Sequence, residues 1–418
     1  MDDRDIAIFS GARDQIRNHD VEHELRQQSD FWYLTGFDEP DAILALAPGA
    51  DKPVTMFVRS RDPKMETWTG RRLGVERAPE TLQIDRAIPA EDFERELPTL
   101  LEGRDRLWFA LGDDPDLDVT VVKALRGGRR KRVLGTPMPH TVLDSGPLVH
   151  ERRLIKSPAE ADRMRRAAAI SAQAHIEAMA FCQPGITEAQ LRGAFEWSWR
   201  RQGATRHAYP PIVAAGDNAT VLHYTQLGSE IGANDLVLID AGCEWEMYAA
   251  DITRTFPASG RFTGPQRDVY EIVLDAQRQA IAAVKPGNTF QDAHDAALPV
   301  LTQGMIDIGL IEGPLDEAIE KKRYEPYYMH RTGHWLGLDV HDAGIYKTGD
   351  AWRALEPGMA TTVEPGIYVP AADDSAPEHL RGIGIRIEDD ILVTRDGNEN
   401  LSAAAPRSIE DVEAACRG

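Results

Sequence analysis

The sequence predicts an α+β fold with two domains: a mixed α/β domain at the N-terminus, then a larger domain in which two similar helical hairpins are each followed by strands. Three observations predict it. The chain has 418 residues, enough for two or three domains. Short apolar runs alternate with helix-like stretches in the first third of the chain. Beyond that third, helix start and stop signals occur in two similar sets.

The N-terminal domain, residues 1–148, contains strand-like and helix-like segments in mixed order. The candidate strands are Asp5–Phe9, Ala42–Ala47, Val54–Val58, Arg106–Ala110 and Arg132–Leu134. The candidate helices are Glu91–Glu102 and Asp118–Leu125. A passage rich in Gly, Pro and Ser between residues 135 and 147 marks the boundary, so that the second domain takes residues 149–418.

The second domain opens with strong helix signals. Ser157-Pro158-Ala159-Glu160 places Ser at the N-cap and predicts a helix to about Cys182. Thr187 caps a second helix, which ends before Gly203. A similar pair starts at Thr263 and Thr289, and the sequences Gln-Pro-Gly-Ile-Thr and Lys-Pro-Gly-Asn-Thr end the first helix of each pair. Duplication accounts for this pattern; two ordinary helix ends of similar chemistry are the alternative.

Charge and composition limit the partners and the compartment. The formal net charge of −21 disfavours nucleic acid and anionic membrane, and it reflects solubility or, for a minor share, carboxylates gathered around cations. No apolar run is long enough to cross a bilayer. The start lacks the pattern of a secretory signal, and the three cysteines are too few and too far apart for a disulfide framework. A cytoplasmic location is therefore expected.

The first candidate site residues are Asp240 and Asp251. Leu236–Ile239 is an apolar run typical of a buried strand, and Met247–Phe256 is a second candidate strand. A tight turn centred on Trp245-Glu246 would place Asp240 opposite Asp251. Two facing carboxylates repel each other unless a cation lies between them. The alternative is one exposed Asp and one capping Asp, with the turn centre misplaced by a residue or two.

Two further acids lie on or beside candidate strands. In Gly384–Asp390, alternation puts Arg386 and Glu388 on one face, and the apolar run that follows indicates interior sheet. Glu388 therefore needs a partner, either Arg386 or a metal ion. Glu364 ends the apolar strand Met359–Val363 before a Pro-Gly turn, where a solvated turn residue is the alternative.

The histidines cluster late in the chain. His330, His334 and His341 are joined by a segment with too much Gly for a helix, which excludes the helical zinc motif. For these three and for His223, a structural hydrogen-bonding role is the alternative to ligation. Four carboxylates with one or more histidines indicate two divalent ions, and oxygen-rich ligation favours Mn²⁺ over Zn²⁺, with Co²⁺ also suitable.

Short motifs follow one another along nearly the whole chain. They are Ser29–Phe37, Trp68–Gly74, Leu222–Thr225, Ile239–Cys243, Asp251–Pro257, His334–Asp342, Thr362–Gly366 and Gly384–Asp389. In this order they resemble the pita-bread metallopeptidases of the aminopeptidase P type. The resemblance implies a pita-bread catalytic domain, in which a duplicated helix hairpin packs on antiparallel sheet. That family usually has a helix before its first strand, so a trimmed start or a member without this helix is expected.

The resemblance also implies a set of five metal ligands. Asp240 would bind one ion, Asp251 and Glu388 would bridge both ions, and His334 and Glu364 would complete the other. Around them, His223, His330 and His341 match the family's substrate-contacting histidines. Arg386 matches the arginine that holds an acidic ligand in place.

The implied activity is release of the first residue from peptides with proline at the second position, by a hydroxide that the two ions activate. Glu364 would shuttle the proton, and His341 would donate to the developing oxyanion. The candidate walls of a slot for the proline ring, each equally a candidate core residue, are Trp335, Tyr368 and Tyr224. A homo-oligomer, either dimer or tetramer, is also expected.

Three relatives of this fold and one other class are the alternatives. A prolidase cleaves only dipeptides. A methionine aminopeptidase usually lacks the long first domain, and creatinase uses the fold without metal ions. A non-catalytic binding protein built on the same fold typically loses ligands, whereas all five ligand positions are present here.

Overall fold

A computed structural model of the chain describes residues 1–129 and 137–418. It divides into two compact units, Met1–Glu151 and Arg152–Gly418. The boundary predicted between residues 148 and 149 falls inside the helix Gly146–Leu154, whose backbone hydrogen bonds continue past the turn-rich passage. No helix among the described residues is both long and apolar enough to cross a bilayer.

The first unit is a mixed sheet with helices. Its strands are β1 Asp5–Ser10, β2 Ile16–Asn18, β3 Val21–Glu22, β4 Ile43–Leu46, β5 Val54–Val58, β6 Arg86–Pro89, β7 Arg106–Phe109 and β8 Thr141–Leu143. Its helices are α1 Ser29–Thr35, α2 Pro63–Thr69, α3 Ala78–Leu82, α4 Phe93–Leu101, α5 Pro115–Arg129 and, at the division, α6 Gly146–Leu154. The predicted strands and helices of this part are confirmed, except Arg132–Leu134, which lies outside the described residues.

The sheet of the first unit has the order β6-β5-β4-β1-β7-β8. The pairs β1–β4 and β4–β5 are antiparallel, whereas β5–β6, β1–β7 and β7–β8 are parallel. Alternation along β1 sends Ile6 and Ile8 into one apolar cluster, with Leu97 of α4, and Ala7 and Phe9 into another, with Phe31 of α1. The sheet is therefore buried on both faces.

The second unit contains the two helical hairpins. Its helices are α7 Pro158–Phe181, α8 Glu188–Arg201, α9 Gly264–Ala283, α10 Phe290–Asp307, α11 Leu315–Glu320 and α12 Ile409–Ala415. Ser157, Thr187 and Thr263, which were predicted as helix caps, each form a capping box, and the Thr289 N–H donates to Asp292 Oδ2 at 2.6 Å. All four predicted helix starts are confirmed, because a cap depends on residues only three positions apart.

The strands of the second unit form small sheets whose pairs are antiparallel. They are β9 Arg206–His207, β10 Ile212–Ala215, β11 Leu236–Asp240, β12 Cys243–Trp245, β13 Tyr248–Ala249, β14 Thr253–Pro257, β15 Lys347–Thr348, β16 Ala351–Trp352, β17 Ala360–Val363, β18 Gly366–Val369, β19 Ile383–Arg386, β20 Asp389–Val393 and β21 Asn398–Asn400. The sheet orders are β10-β11-β14, β13-β12-β9, β17-β20-β21, β18-β19 and β15-β16.

The backbone around the two helix stops is nearly the same. The Gly185 N–H donates to the Ile231 carbonyl at 2.9 Å, and the Gly287 N–H donates to the Leu355 carbonyl at 3.1 Å. Both glycines have positive φ, 93° and 87°. The cap threonine of each hairpin then forms an isolated antiparallel bridge, Thr187 with Glu230 and Thr289 with Ala354. This repeated geometry favours duplication over a coincidence of helix ends.

The turn predicted at Trp245-Glu246 is displaced by one residue. Trp245 pairs with Tyr248, and the two residues between them, Glu246 and Met247, have φ of 47° and 71°. Two-residue turns of this kind are signalled by Asn-Gly or Asp-Gly, which are absent here, so the centre was misread. The predicted single strand Met247–Phe256 is likewise wrong, because it divides into β13 and β14.

Candidate metal centre

One cavity of about 490 Å³ in the second unit brings together the nine predicted site residues that carry acidic, imidazole or guanidinium side chains. These residues lie on six separate stretches of chain, at strand ends and in the loops next to them. The nine that line the cavity are His223, Asp240, Asp251, His330, His334, His341, Glu364, Arg386 and Glu388. Pairing of the strands brings these residues close together.

Asp240 and Asp251 meet in the cavity, although not through the predicted register. Asp240 ends β11 and lies opposite Thr253 of β14, so its observed partner is two residues beyond the predicted partner, Asp251. Both carboxylates reach the same phenol: the Tyr209 hydroxyl lies 2.6 Å from Asp240 Oδ1 and also contacts Asp251 Oδ1. A hydroxyl has one proton to donate, so it satisfies only one carboxylate at a time.

The chain segments that follow Asp240 and precede Asp251 approach each other closely, and this approach requires Gly242 to be a glycine. A Cβ at Gly242 would lie 1.8 Å from the Ala250 carbonyl oxygen, closer than any side chain can approach. The Ala241 N–H donates to the Ile252 carbonyl oxygen at 3.0 Å, and the Ala250 N–H donates to the Cys243 carbonyl oxygen at 3.1 Å. The two chain segments therefore run tightly together beside the cavity and hold both carboxylates at its wall.

Arg386 and Glu388 lie on the cavity side of the strand, as alternation predicted. Arg386 donates to Asp240 Oδ2 at 2.6 Å and to the Thr253 hydroxyl at 3.2 Å. Thr253 in turn donates to Glu388 Oε2 at 2.6 Å. The sequence left open whether Arg386 or a metal ion was the partner of Glu388, and the structure pairs the arginine with Asp240 instead.

His334 reaches the cavity from an extended segment that pairs with β17. Its backbone N–H donates to the Thr362 hydroxyl at 3.1 Å, and the next residue, Trp335, forms an antiparallel bridge with Thr361. A Cβ at Gly333 would lie 2.1 Å from the Thr362 carbonyl oxygen. The glycines that argued against a helix here are thus required by a close approach of two backbones.

The His334 ring faces the acids with one defined nitrogen. Nδ1 lies 3.0 Å from the Trp335 carbonyl oxygen, which requires a proton on Nδ1 and leaves the lone pair of the neutral ring on Nε2. Nε2 lies 3.3 Å from Asp251 Oδ2 and 3.7 Å from Glu364 Oε1. One potential ligand atom each of Asp251, His334 and Glu388 lies within 4.8 Å of the other two.

The other histidines surround this group. His341 packs edge-on against His334, with ring centroids 4.3 Å apart. His330 Nδ1 lies 3.9 Å from Glu364 Oε2, and its Nε2 lies 2.9 Å from the Tyr368 hydroxyl. His223 lines the same cavity from the loop after the 3₁₀ turn Gly216–Thr220.

A buried carboxylate fixes the loop that carries His223. Glu188, which is fully buried at the start of α8, accepts hydrogen bonds from the Ala215 and Ser229 N–H groups at 2.9 and 3.2 Å. It also accepts from the Asn218 amide at 2.9 Å and the Tyr224 hydroxyl at 3.0 Å. Sequence reasoning missed this residue because its partners are 27 to 41 positions away.

A second polar cluster supports the segment that carries His341. Asp342 accepts from Lys156 Nζ at 2.9 Å and from Arg153 at 2.5 Å, and all three side chains are buried. Both cations outweigh burial and hold the pKa of Asp342 below its usual range. The sequence signal, two basic residues just before a helix, was too common to single out.

The predicted walls of the proline slot are wrong. Trp335 and Tyr368 are fully buried in the core, where Trp335 stacks on Tyr346 with ring centroids 5.0 Å apart. Tyr224 is held by Glu188 and does not line the cavity either. The apolar side chains that line the cavity are instead Ile212, Leu222, Val340 and Pro210.

Burial and neighbouring charges shift the pKa values of the site residues. Burial raises the pKa of Glu364 to about 7, and burial together with the Asp251 and Glu364 carboxylates raises the pKa of Glu388 well above its ordinary value. Burial raises the pKa of Asp240 as well. Burial lowers the pKa of His334, but hydrogen bonding to Asp251 and the charge of Glu364 outweigh it and raise the value to about 9.

These residues fit divalent cations. Four carboxylates and an imidazole nitrogen converge on the cavity, and the guanidinium of Arg386 pairs with only one of these carboxylates, that of Asp240. Buried like charges at this density need protons or cations to neutralise them. Oxygen donors with one imidazole are a donor set that Mn²⁺, Co²⁺ and Zn²⁺ accept.

Comparison with known proteins agrees with this geometry. The model of metallopeptidase family M24 matches residues 162–395, and the model of the aminopeptidase P N-terminal domain matches residues 1–108. The chain belongs to metallopeptidase family M24. Within that family it is 44% identical to the Xaa-Pro aminopeptidase of Escherichia coli K12, over 98% of this chain and 92% of the other.

Two solved structures of the family share the whole fold. Aminopeptidase PepP of Pseudomonas aeruginosa superposes with a TM-score of 0.97 at 47% identity, covering 100% of this chain and 94% of that one. Aminopeptidase P of E. coli with the inhibitor Pro-Leu gives a TM-score of 0.96 at 43% identity, with the same coverage. The predicted mixed α/β first domain and pita-bread second domain are confirmed.

Proposed function

We propose that this protein is an Xaa-Pro aminopeptidase, which releases the N-terminal residue from peptides whose second residue is proline. The observation that carries the proposal is that four carboxylates and four histidines, His334 among them, line a single cavity. The similarity to Xaa-Pro aminopeptidases extends over both units, so the first unit, which a methionine aminopeptidase usually lacks, is included.

Five residues would hold two divalent metal ions, with Mn²⁺ favoured by the oxygen-rich donor set. They are Asp240, Asp251, His334, Glu364 and Glu388. Asp251 and Glu388 would hold an ion together with His334, because one potential ligand atom of each of the three residues lies within 4.8 Å of the other two. Arg386 would orient Asp240 through the 2.6 Å hydrogen bond and is a positioning residue.

When bound, such a metal pair would polarise the scissile carbonyl and lower the pKa of a water molecule, so that hydroxide would be available as the nucleophile at neutral pH. The residues of the chain supply the proton transfers. Glu364, whose carboxylate faces the cavity, would take the proton of the attacking water and return it to the proline nitrogen as the bond breaks. That nitrogen has no proton of its own in an Xaa-Pro bond.

Histidines would stabilise the charge that develops on the carbonyl oxygen. His341, packed against His334, is the proposed hydrogen-bond donor to this oxyanion. His330 and His223 line the same cavity and would contact the substrate. The proline ring would lie against the apolar side chains of Ile212, Leu222 and Val340.

Hydrolysis of matched peptides tests the proposal. Metal-stripped protein is supplied with Mn²⁺ and given an Xaa-Pro-Xaa tripeptide, the Xaa-Ala-Xaa analogue and an Xaa-Pro dipeptide. We expect metal-dependent release of the first residue from the proline tripeptide alone. Cleavage of the dipeptide alone would indicate a prolidase, and no turnover with any of several divalent ions would favour a non-catalytic binding protein.

Two finer expectations belong with this proposal. We infer a homo-oligomer, dimer or tetramer, on the support of Trp68 and Leu111, whose side chains in the first unit are 85% and 63% exposed; light scattering at several concentrations tests it. We infer a cytoplasmic location, supported by the three free cysteines, which suit a reducing compartment; fractionation of the source cells tests that.

A further inference from the structure

Two guanidinium groups line the cavity, and they are in different electrostatic states. Arg386 is buried and committed to Asp240. Arg331 is exposed, and its hydrogen bond is to a neutral group, the Gln291 amide oxygen, at 2.6 Å. Among the described residues, no carboxylate forms an ion pair with Arg331. The cavity therefore carries one cation whose charge the protein does not neutralise.

Arg331 is nevertheless held in a defined place. Its guanidinium lies over the Trp352 ring, 4.8 Å from the centroid, in addition to the bond to Gln291. Trp352 itself stacks on Phe290, with centroids 6.2 Å apart, and Phe290 packs against Trp335 of the His334 segment. A long side chain fixed in advance loses less entropy when it binds a ligand than a free one does.

The distribution of charge in the cavity indicates which kind of ligand it would bind. The deep part of the cavity is rich in carboxylates, whereas Arg331 is an unneutralised donor fork beside it. A short peptide has the complementary arrangement, a cationic amine at one end and an anionic carboxylate at the other. In a tripeptide cleaved after its first residue, the carboxylate lies roughly 7 Å beyond the scissile bond when the chain is extended. Arg331 lines the cavity and directly follows His330, whose Nδ1 lies 3.9 Å from Glu364 Oε2. The arginine side chain is therefore long enough to meet a carboxylate at that distance from the scissile bond.

We propose that Arg331 binds the free C-terminal carboxylate of short peptide substrates and thereby favours them over amidated or long peptides. The inference rests on the proposed aminopeptidase activity and names the substrate class of that site. A guanidinium pairs with a carboxylate through two parallel N–H···O bonds, which is why an arginine suits this task better than a lysine. Arg331 is thus a specificity residue and takes no part in the proton transfers.

The chain supplies a matched control. Lys347 Nζ lies 4.1 Å from the centroid of the same Trp352 ring, but Lys347 does not line the cavity. Arg331→Gln and Lys347→Gln each remove one positive charge from the same aromatic ring. A general effect of charge or of Trp352 packing would appear in both variants, whereas a carboxylate contact would appear only in the first.

The test compares an Xaa-Pro-Xaa tripeptide with its C-terminal amide. For wild type we expect the acid to have a KM roughly ten times lower than the amide, as loss of one charge-assisted hydrogen bond predicts. Arg331→Gln should raise the KM of the acid to that of the amide and leave kcat and the amide unchanged. Arg331→Lys should recover part of the preference, and Lys347→Gln should keep all of it.

The outcomes separate this inference from the proposed function. Turnover of acid and amide with equal KM in wild type would overturn the role of Arg331 and leave the aminopeptidase standing. An equal loss for acid and amide in Arg331→Gln would overturn it too, because it would indicate a structural effect. Turnover of neither peptide would overturn the function. Calorimetric binding of a Pro-Xaa dipeptide and its amide then still measures the carboxylate contact directly, and equal affinities would refute it.

Discussion

Replacing Asp342 with Asn should be among the most costly single substitutions in the second unit. Its carboxylate accepts from Lys156 at 2.9 Å and from Arg153 at 2.5 Å, and the three side chains are 1%, 1% and 3% exposed. Asn keeps the shape and one acceptor but removes the charge that both cations face. Breaking a buried ion pair in this way costs about 3–5 kcal/mol, since it leaves uncompensated charge in the interior.

Differential scanning calorimetry of the full chain measures the effect. For a unit of this size, about 3–5 kcal/mol lowers the midpoint of its transition by roughly 10 °C. Asp374→Asn is the matched control: its carboxylate pairs with Arg381 at 3.0 Å, but the side chain is 97% exposed. A surface pair of this kind contributes about 0–1 kcal/mol, so that midpoint should hardly move.

The pH dependence gives the sign of the effect independently. Because the pKa of Asp342 is lower in the folded protein than its ordinary value, its contribution is complete above about pH 4 and is lost as the pH falls through the folded value. The gap between wild type and Asp342→Asn should therefore be constant near neutral pH and narrow below pH 4. Equal midpoints of the two proteins at pH 7, or a gap that widens in acid, would refute the reasoning.

The remaining predictions concern the site itself. Asp251→Ala should abolish turnover and lower bound metal, measured by mass spectrometry after dialysis, while unaltered circular dichroism excludes unfolding; full metal content with normal turnover would contradict the ligand set. Glu188→Gln should raise KM several-fold and destabilise by about 1–3 kcal/mol, because an amide cannot accept all four hydrogen bonds; an unchanged KM would remove its role in placing His223. Gly333→Ala should lower kcat/KM at least tenfold, since its Cβ would collide with the Thr362 carbonyl; wild-type kinetics would show that the segment can shift at no cost.

Much of the fold is readable from the sequence because its signals are local. Ser157, Thr187, Thr263 and Thr289 mark helix starts through groups within one turn of each cap, so no distant contact is needed. The strands of the first unit are similarly marked by apolar runs between turn residues. The proposed ligand positions could also be identified from the sequence, because the motifs from Asp240 to Glu388 occur in the order typical of the family.

The strand register at the site and the contacts that support the site could not be predicted from the sequence. The turn at Glu246-Met247 has none of the usual turn residues, so its centre was placed one residue early. Tyr209 was not singled out, because an isolated tyrosine 31 residues before Asp240 carries no local signal of the contact. The same holds for Arg331, whose place at the cavity depends on Trp352 and Gln291, each far along the chain.

The sequence by itself determined the residue types, the helix caps and the order of the site residues, because these depend on neighbours a few positions apart. Only the tertiary structure decided which acid Arg386 neutralises, how Tyr209 joins Asp240 and Asp251, and which cation at the cavity stays unpaired. Those outcomes depend on strand register and on burial, where a shift of one residue turns a side chain to the other face of a sheet. Long-range pairing of strands, rather than local preference, therefore sets the electrostatics of the site.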